Sequence, residues 1–197
     1  MAFTARDLEL LYEIGSLRNV PRGWRQHLGM DCASVLEHTV RVVWLALLIA
    51  RGEGVTDEAK VMKMALLHDL AESRTSDLSY VQKVYVHEDE TRAVQDTLSG
   101  TSLADLTAVA EEFHRRDSRE AKIVKDADNL DIDLELRELE ERGSKLPAKW
   151  QGFRKMIREE KLYTQAAKRL WDQLQTVDAS SWHLAANKWL KLPNAGK

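Results

Sequence analysis

A single cysteine, Cys32, stands in a chain of 197 residues. That excludes an internal disulfide framework and any multi-cysteine metal knot, and it fits a reducing compartment, so the expected location is cytoplasmic. Glycine and proline are scarce too, nine and three in all. They leave too little punctuation for a turn-dense all-β fold and long stretches that suit helices. There is no basic excess: 29 Lys and Arg face 32 Asp and Glu for a net charge of -3. Without a cationic surplus a phosphate backbone is not held by counterion release, which argues against a nucleic-acid partner but leaves room for a small anionic substrate. The longest apolar run, VVWLALLIA from Val42 to Ala50, is too short to span a bilayer and lies between Arg41 and Arg51. It reads as a buried core helix, and no membrane partner is expected. The opening MAFTARDLELLYEIG alternates acids with Leu and Ile at helical spacing, without the basic start or unbroken apolar core of a signal peptide.

What is present, 44% hydrophobic and 31% charged residues, is ordinary for a globular protein with a sizeable core. The expected fold class is all-α. After a first helix, Pro21, Gly23 and Gly29 interrupt RNVPRGWRQHLGMDCA and leave Arg18, Arg22, Trp24 and Arg25 as a candidate pocket wall. Ser34 to Glu37 has the capping-box pattern, which predicts a helix running to Arg51 with Gly52 as terminator and His38 in its first turns. Thr56, followed by Asp57 and Glu58, predicts the N-cap of the next helix, fraying near Ser73 to Ser76. Another helix is expected within Tyr80 to Leu98. A long one should run from Asp117 to Gly143, with Ile123, Ala127, Leu130 and Leu134 in one buried stripe and Asp128 at its margin. Trp150 to Leu174 continues in the same style, and the tail around Trp182 and Trp189 is expected to form a last helix or to hold a partner subunit.

The stretch LLHDLAESRTSDL, Leu66 to Leu78, carries the first chemical signal. If it is helical through Arg74, His68 and Glu72 lie four apart and Asp69 and Glu72 three apart, so all three address one spot. Alone, the His-Asp pair is as well explained by the solvent edge of an amphipathic helix. His38 could likewise be a helix-start histidine bonded to Glu37, and Asp128 one of the solvent-facing aspartates of DADNLDID. Together, His38, His68, Asp69 and Asp128 offer two imidazoles and two carboxylates, a donor set that suits a divalent transition ion with positions left for water and substrate. Such an ion acidifies bound water and polarises a phosphoryl oxygen. Glu72, one turn from His68, is placed to orient or deprotonate that water.

The order His, His-Asp, Asp on successive helices resembles the HD-domain superfamily of metal-dependent phosphohydrolases. VPRGW, ASVLEH, LLHDLAE, SDL and AKIVKDADNLD are similar to its 5'-deoxynucleotidase branch, and the resemblance covers most of the chain. It implies an HD-domain helical bundle over residues 1–197, with a metal-binding core at about 30–140 and a C-terminal helical extension at about 150–192. It implies metal ligands at His38, His68, Asp69 and Asp128, and an acidic pair, Glu72 and Asp77, beside the water and the substrate. Arg22 and Trp24 match its substrate wall, the indole over the base and the guanidinium toward the phosphate. In the reaction itself, Arg22 or Lys125 is expected to offset charge.

The implied reaction removes the 5'-phosphate of a (deoxy)nucleoside monophosphate with one ion, cobalt, manganese or similar, magnesium being an alternative, in a homodimer. A nucleoside triphosphate or alarmone hydrolase and a non-catalytic, metal-stabilised scaffold are the competing readings. Dinuclear relatives need further histidines before the last Asp, and here only His87 and His114 are available, both in polar surroundings that read as surface. Three departures bear on substrate choice. Arg22-Gly23-Trp24 is one residue shorter than the family's usual R-T-G-W, Ala33 stands where Glu is usual, and Ser76 stands where Gly is usual before Asp77.

Overall fold

The computed structural model describes residues 3–29 and 31–186. Helix α1 (Ala5–Ser16) starts where Thr4 and Asp7 cap each other's backbone, buries Leu10, and runs into a 3-10 turn at Leu17–Asn19. Pro21 then forms an isolated antiparallel bridge with Ser34, around the single-turn α2 (Arg25–Leu28). Helix α3 (Val35–Gly52) begins at the Ser34–Glu37 capping box, as the sequence predicts. It continues one residue past Arg51, and Gly54, at φ 69°, makes the turn instead of Gly52. Helix α4 (Glu58–Leu67) is capped by Asp57, whose carboxylate accepts the Lys60 N–H at 3.0 Å, and not by Thr56.

The single helix expected through Arg74 does not form. Helix α4 stops at Leu67, His68 to Ala71 make a turn, and α5 (Glu72–Thr75) adds one further helical turn. The Ser73 and Thr75 hydroxyls donate back to the Leu70 and Ala71 carbonyls, at 3.0 Å and 3.2 Å, a local competition that weakens regular helix. Glu13 of α1 pins α5 by accepting from Arg74 Nε at 2.7 Å and Ser73 Oγ at 3.0 Å.

In the 80–98 region only the second half is α-helical, α6 (Glu90–Leu98), preceded by a 3-10 turn at Gln82–Val84. Helices α7 (Thr107–Arg115) and α8 (Arg119–Glu141) follow, α8 capped by Ser118 and closed by Gly143 at φ 88°. The C-terminal segment comprises α9 (Leu146–Met156), a π-turn at Ile157–Lys161, α10 (Gln165–Leu174) and α11 (Ser181–Ala186). Trp182 is exposed, while Trp189 and the rest of the tail lie outside the described residues. No strand occurs among the described residues, so the fold is all-α, and no helix there is long and apolar enough to cross a membrane.

One apolar cluster joins α3, α4, α8 and α10: Val42, Ala46 and Ile49 meet Val61, Met64, Ile123, Ala127, Leu130 and Ala167. The stripe predicted on α8 is buried at Ile123, Ala127 and Leu130 and half-buried at Leu134. A second cluster, with Leu10, Leu67, Leu70, Val94 and Leu98, sits under α1, α6 and α7. Between the two runs the turn that carries His68 and Asp69, so its position is fixed by apolar packing on both sides.

The aspartates of DADNLDID are not a solvated face. Asp126 accepts the Tyr163 and Thr164 N–H groups, both at 2.8 Å. Asp133 clamps Arg154 of α9 at 2.9 Å and 2.6 Å. Glu135, one turn on from Asp131, accepts the Ala33 N–H at 2.7 Å. Each of these buried acids ties a distant segment to α8, which gives its desolvated carboxylate the partner that it needs.

Candidate active site

The first turn of α3, the end of α4 and the middle of α8 converge. His38 is fully buried, and its Nε2 lies 3.2 Å from His68 Nε2, 3.4 Å from Asp69 Oδ2 and 3.3 Å from Asp128 Oδ1. His68 Nε2 lies 3.1 Å from Asp69 Oδ2. His38, His68 and Asp69 present ligand-type atoms within 4.8 Å of one another. Asp128 stands at the edge of this group, its other oxygen held by Lys125 Nζ at 2.6 Å.

The opposite ring nitrogens are already engaged. His68 Nδ1 donates to the Ala65 carbonyl at 2.7 Å, and His38 Nδ1 faces Asp131 Oδ2 at 2.5 Å. Asp131 is held in turn by Arg41, whose other end reaches Glu138 at 2.8 Å. In their neutral forms both rings therefore aim an Nε2 lone pair at the same point, beside two carboxylates. Such a cluster needs a positive charge at its centre. Donors about 2.1 Å from one ion lie about 3.0 to 3.4 Å from each other in octahedral or tetrahedral arrangements, which matches these separations. The residues fit a divalent transition ion, with Asp131 and the Ala65 carbonyl setting the tautomers.

The electrostatics point the same way. Burial alone would lower the pKa of His38, but Asp128, Asp131 and Asp69 outweigh it and carry the imidazole well above its ordinary value. Burial opposes ionisation of Asp69 and Asp128, yet His68 and His38 hold the first, and Lys125 and His38 the second, well below the usual carboxylate range. The field thus favours a cation.

Beside the cluster opens a cleft of about 570 Å³, within the range of small-molecule sites. Glu72 lines it with a buried Oε2 that has no hydrogen-bond partner, and burial, then Asp69 and Asp77, push its pKa up to about 10. Arg22 is buried, with Nη1 3.3 Å from Asp69 Oδ2 and 3.2 Å from Asp77 Oδ2. It links the two acids. Gly23 donates its N–H to Asp77 Oδ2 at 3.0 Å, and a Cβ there would stand 2.5 Å from the Asp77 carbonyl oxygen and 2.8 Å from Ser79 N. Only glycine lets PRGW lie against SDL.

Asp77 is aimed by strained backbone. Ser76 sits at φ 63° and ψ 164°, a region open essentially to glycine. Ser76→Gly should raise stability by about 1 kcal/mol, the strain relieved outweighing the extra chain entropy of glycine. Chemical denaturation of the two proteins measures this, and a less stable variant would show that the serine carries no strain.

Trp24 reaches the cleft and stacks on Trp150 of α9, ring centroids 5.9 Å apart and planes at 24°, with its Nε1 buried and unpartnered. His87 is exposed, and His114 is half-buried beside Glu90, 3.6 Å from its carboxylate; neither joins the His38–His68 group. Sequence reasoning missed Asp131, Trp150 and Arg116. Asp131 carried a usable signal, three residues beyond Asp128 on the same helical face. Trp150 and Arg116 carried none, since only chain packing brings them to the cleft.

A family model described as HD domain matches residues 14–178, and the chain belongs to the HD domain family. Among curated relatives, the 5'-deoxynucleotidase HDDC2 of Danio rerio is 32% identical over 153 residues, covering 74% of this chain and 75% of that one. Its Homo sapiens counterpart is 28% identical over 153 residues, 74% of each chain. Among solved structures, a conserved hypothetical protein from Pyrococcus furiosus has a TM-score of 0.73 at 27% identity, covering 86% of this chain and 99% of its own. A protein from Pyrococcus horikoshii OT3 has a TM-score of 0.67 at 26% identity, over 85% and 96%.

Proposed function

We propose that this chain is a metal-dependent 5'-deoxynucleotidase, which removes the 5'-phosphate of (deoxy)nucleoside monophosphates. One divalent transition ion, cobalt, manganese or similar with magnesium as an alternative, is held by His38, His68, Asp69 and Asp128. The observation that carries the reading is the meeting of two tautomer-locked imidazoles and two carboxylates at the edge of a cleft that also holds an unpartnered, buried carboxyl group. When bound, the ion supplies Lewis acidity toward a phosphoryl oxygen and acidifies water.

The protein's own groups divide the remaining work. Glu72 orients the attacking water and, in its ionised form, which a bound cation beside Asp69 would favour by lowering the raised pKa, accepts the water's proton at the free Oε2. Arg22 holds Asp69 and Asp77 in fixed geometry, which pre-organises the site before substrate arrives. Asp77 faces the sugar, where its carboxylate can accept a hydrogen bond from a 3'-hydroxyl, and Trp24, backed by Trp150, offers a flat surface to the base. Stacking of this kind discriminates weakly between bases.

The homodimer belongs to this reading. Val40, Trp44 and Leu48 form an exposed apolar stripe on α3, each more than half accessible, of the kind that a second copy covers. A cytoplasmic location is part of the same reading, since a lone free cysteine, Cys32, fits a reducing compartment.

The test is a substrate panel with product analysis. Several deoxynucleoside 5'-monophosphates should yield orthophosphate and nucleoside, with ribonucleotides and 3'-monophosphates slower. Release of pyrophosphate or triphosphate from longer nucleotides, with monophosphates untouched, would favour the triphosphate or alarmone reading. No turnover at full metal occupancy would favour the scaffold.

A further inference from the structure

Most cations of the cleft already face carboxylates. Arg22 is held by Asp69 and Asp77, Lys125 by Asp128 at 2.6 Å, Lys83 faces Glu88 at 3.7 Å, and Arg154 is clamped by Asp133. Arg116 lines the same cleft and has no carboxylate within ion-pairing distance among the described residues. Lys149 also lacks one, but it sits exposed at the rim.

Arg116 is held in place by other means. It ends α7 at φ 58°, a conformation uncommon for a residue with a side chain. Its guanidinium carbon lies 3.3 Å from the centroid of the Phe113 ring, and Nη1 donates to the Phe113 carbonyl. The Phe113 ring stands edge-on to His68, centroids 6.0 Å apart at 84°, so only one aromatic ring separates the guanidinium from the His38–His68 cluster. Burial lowers its pKa, and Asp128, Glu90 and Asp69, all beyond ion-pairing distance, offset that only in part, so the cation is partly desolvated without a direct carboxylate partner. A guanidinium has five N–H donors, and stacking leaves its edge available to a doubly charged oxyanion.

We infer that Arg116 binds the phosphoryl group of the substrate, the role that the sequence alone suggests for Arg22 or Lys125. This rests on the 5'-deoxynucleotidase reading for the identity of the phosphate donor. Arg22 and Lys125 then serve to hold Asp69, Asp77 and Asp128, and a single unpaired guanidinium matches one terminal phosphate better than a triphosphate chain.

The test uses the full chain loaded with metal and three probes: inorganic phosphate, a deoxynucleoside 5'-monophosphate and the corresponding nucleoside. Arg116→Gln should weaken phosphate binding in calorimetry by about tenfold or more, the scale of a lost charge-assisted hydrogen bond. KM for the monophosphate should rise in parallel, while nucleoside binding and metal content stay unchanged. Arg116→Lys should recover part of the loss. Arg116→Gly suits the backbone angle and gives a second variant should the glutamine fold poorly. Phosphate affinity within twofold of the parent in both the Gln and Gly variants would overturn the inference, even where nucleotides are hydrolysed. Conversely, Arg116-dependent phosphate binding by a parent that hydrolyses no nucleotide would support it while the nucleotidase reading fails.

Discussion

His68→Ala and Asp69→Ala should purify without their metal. Each substitution removes one donor from a group assembled by separate segments. Loss of supporting groups around such sites already weakens binding by about 10- to 100-fold, so loss of a direct ligand should exceed that. Elemental analysis of the two variants beside the parent reads the outcome, and full occupancy in both would remove these residues from the metal site. A pH dependence accompanies the effect. In the ion-free cluster the buried His38 imidazole keeps its proton well above the ordinary range, because Asp128, Asp131 and Asp69 outweigh burial. An ion must displace that proton, so metal affinity should rise with pH. The sign for folding is the reverse. A raised histidine pKa contributes stability in full below the unfolded value of about 6.5, and that contribution is lost as pH rises through the folded pKa.

Glu72→Gln should lose turnover by about 100- to 10,000-fold, the range for a general base, with metal and nucleotide still bound. Its effect on stability should have the opposite sign. The native carboxyl is buried, lacks a partner at Oε2 and sits beside Asp69 and Asp77, so ionising it is unfavourable and its pKa is pushed up to about 10. An amide of the same shape removes that cost, and the ion-free variant should melt at or above the parent's temperature at neutral pH. A merely structural residue would show the reverse pattern, reduced stability with turnover kept. Normal turnover in Glu72→Gln would make the carboxylate a bystander.

What the sequence displays about this site is local. The Ser34–Glu37 capping box starts α3 where spacing predicts, and His38 follows in its first turns as expected. The failures arise where distant groups decide. The presumed continuous helix through Leu66–Arg74 breaks after Leu67, and the turn between two apolar clusters carries His68 and Asp69 to the site, an arrangement helical spacing alone does not reveal. Asp126 and Asp133 look like a solvated run in sequence, but Thr164 and Arg154, far along the chain, provide their partners. Arg116 lies two residues past His114 in the same polar surroundings, and only in the folded chain do its positive φ and its contacts with Phe113 set it at the cleft.

The account stands most directly on one titration. Chelated protein receives the ion in steps, and orthophosphate released from a deoxynucleoside 5'-monophosphate is measured against metal bound per chain. The account predicts no release from the ion-free protein, a rise in proportion to occupancy, and a plateau at one ion per chain. Release that persists after the metal is removed, or none at full occupancy, would contradict it.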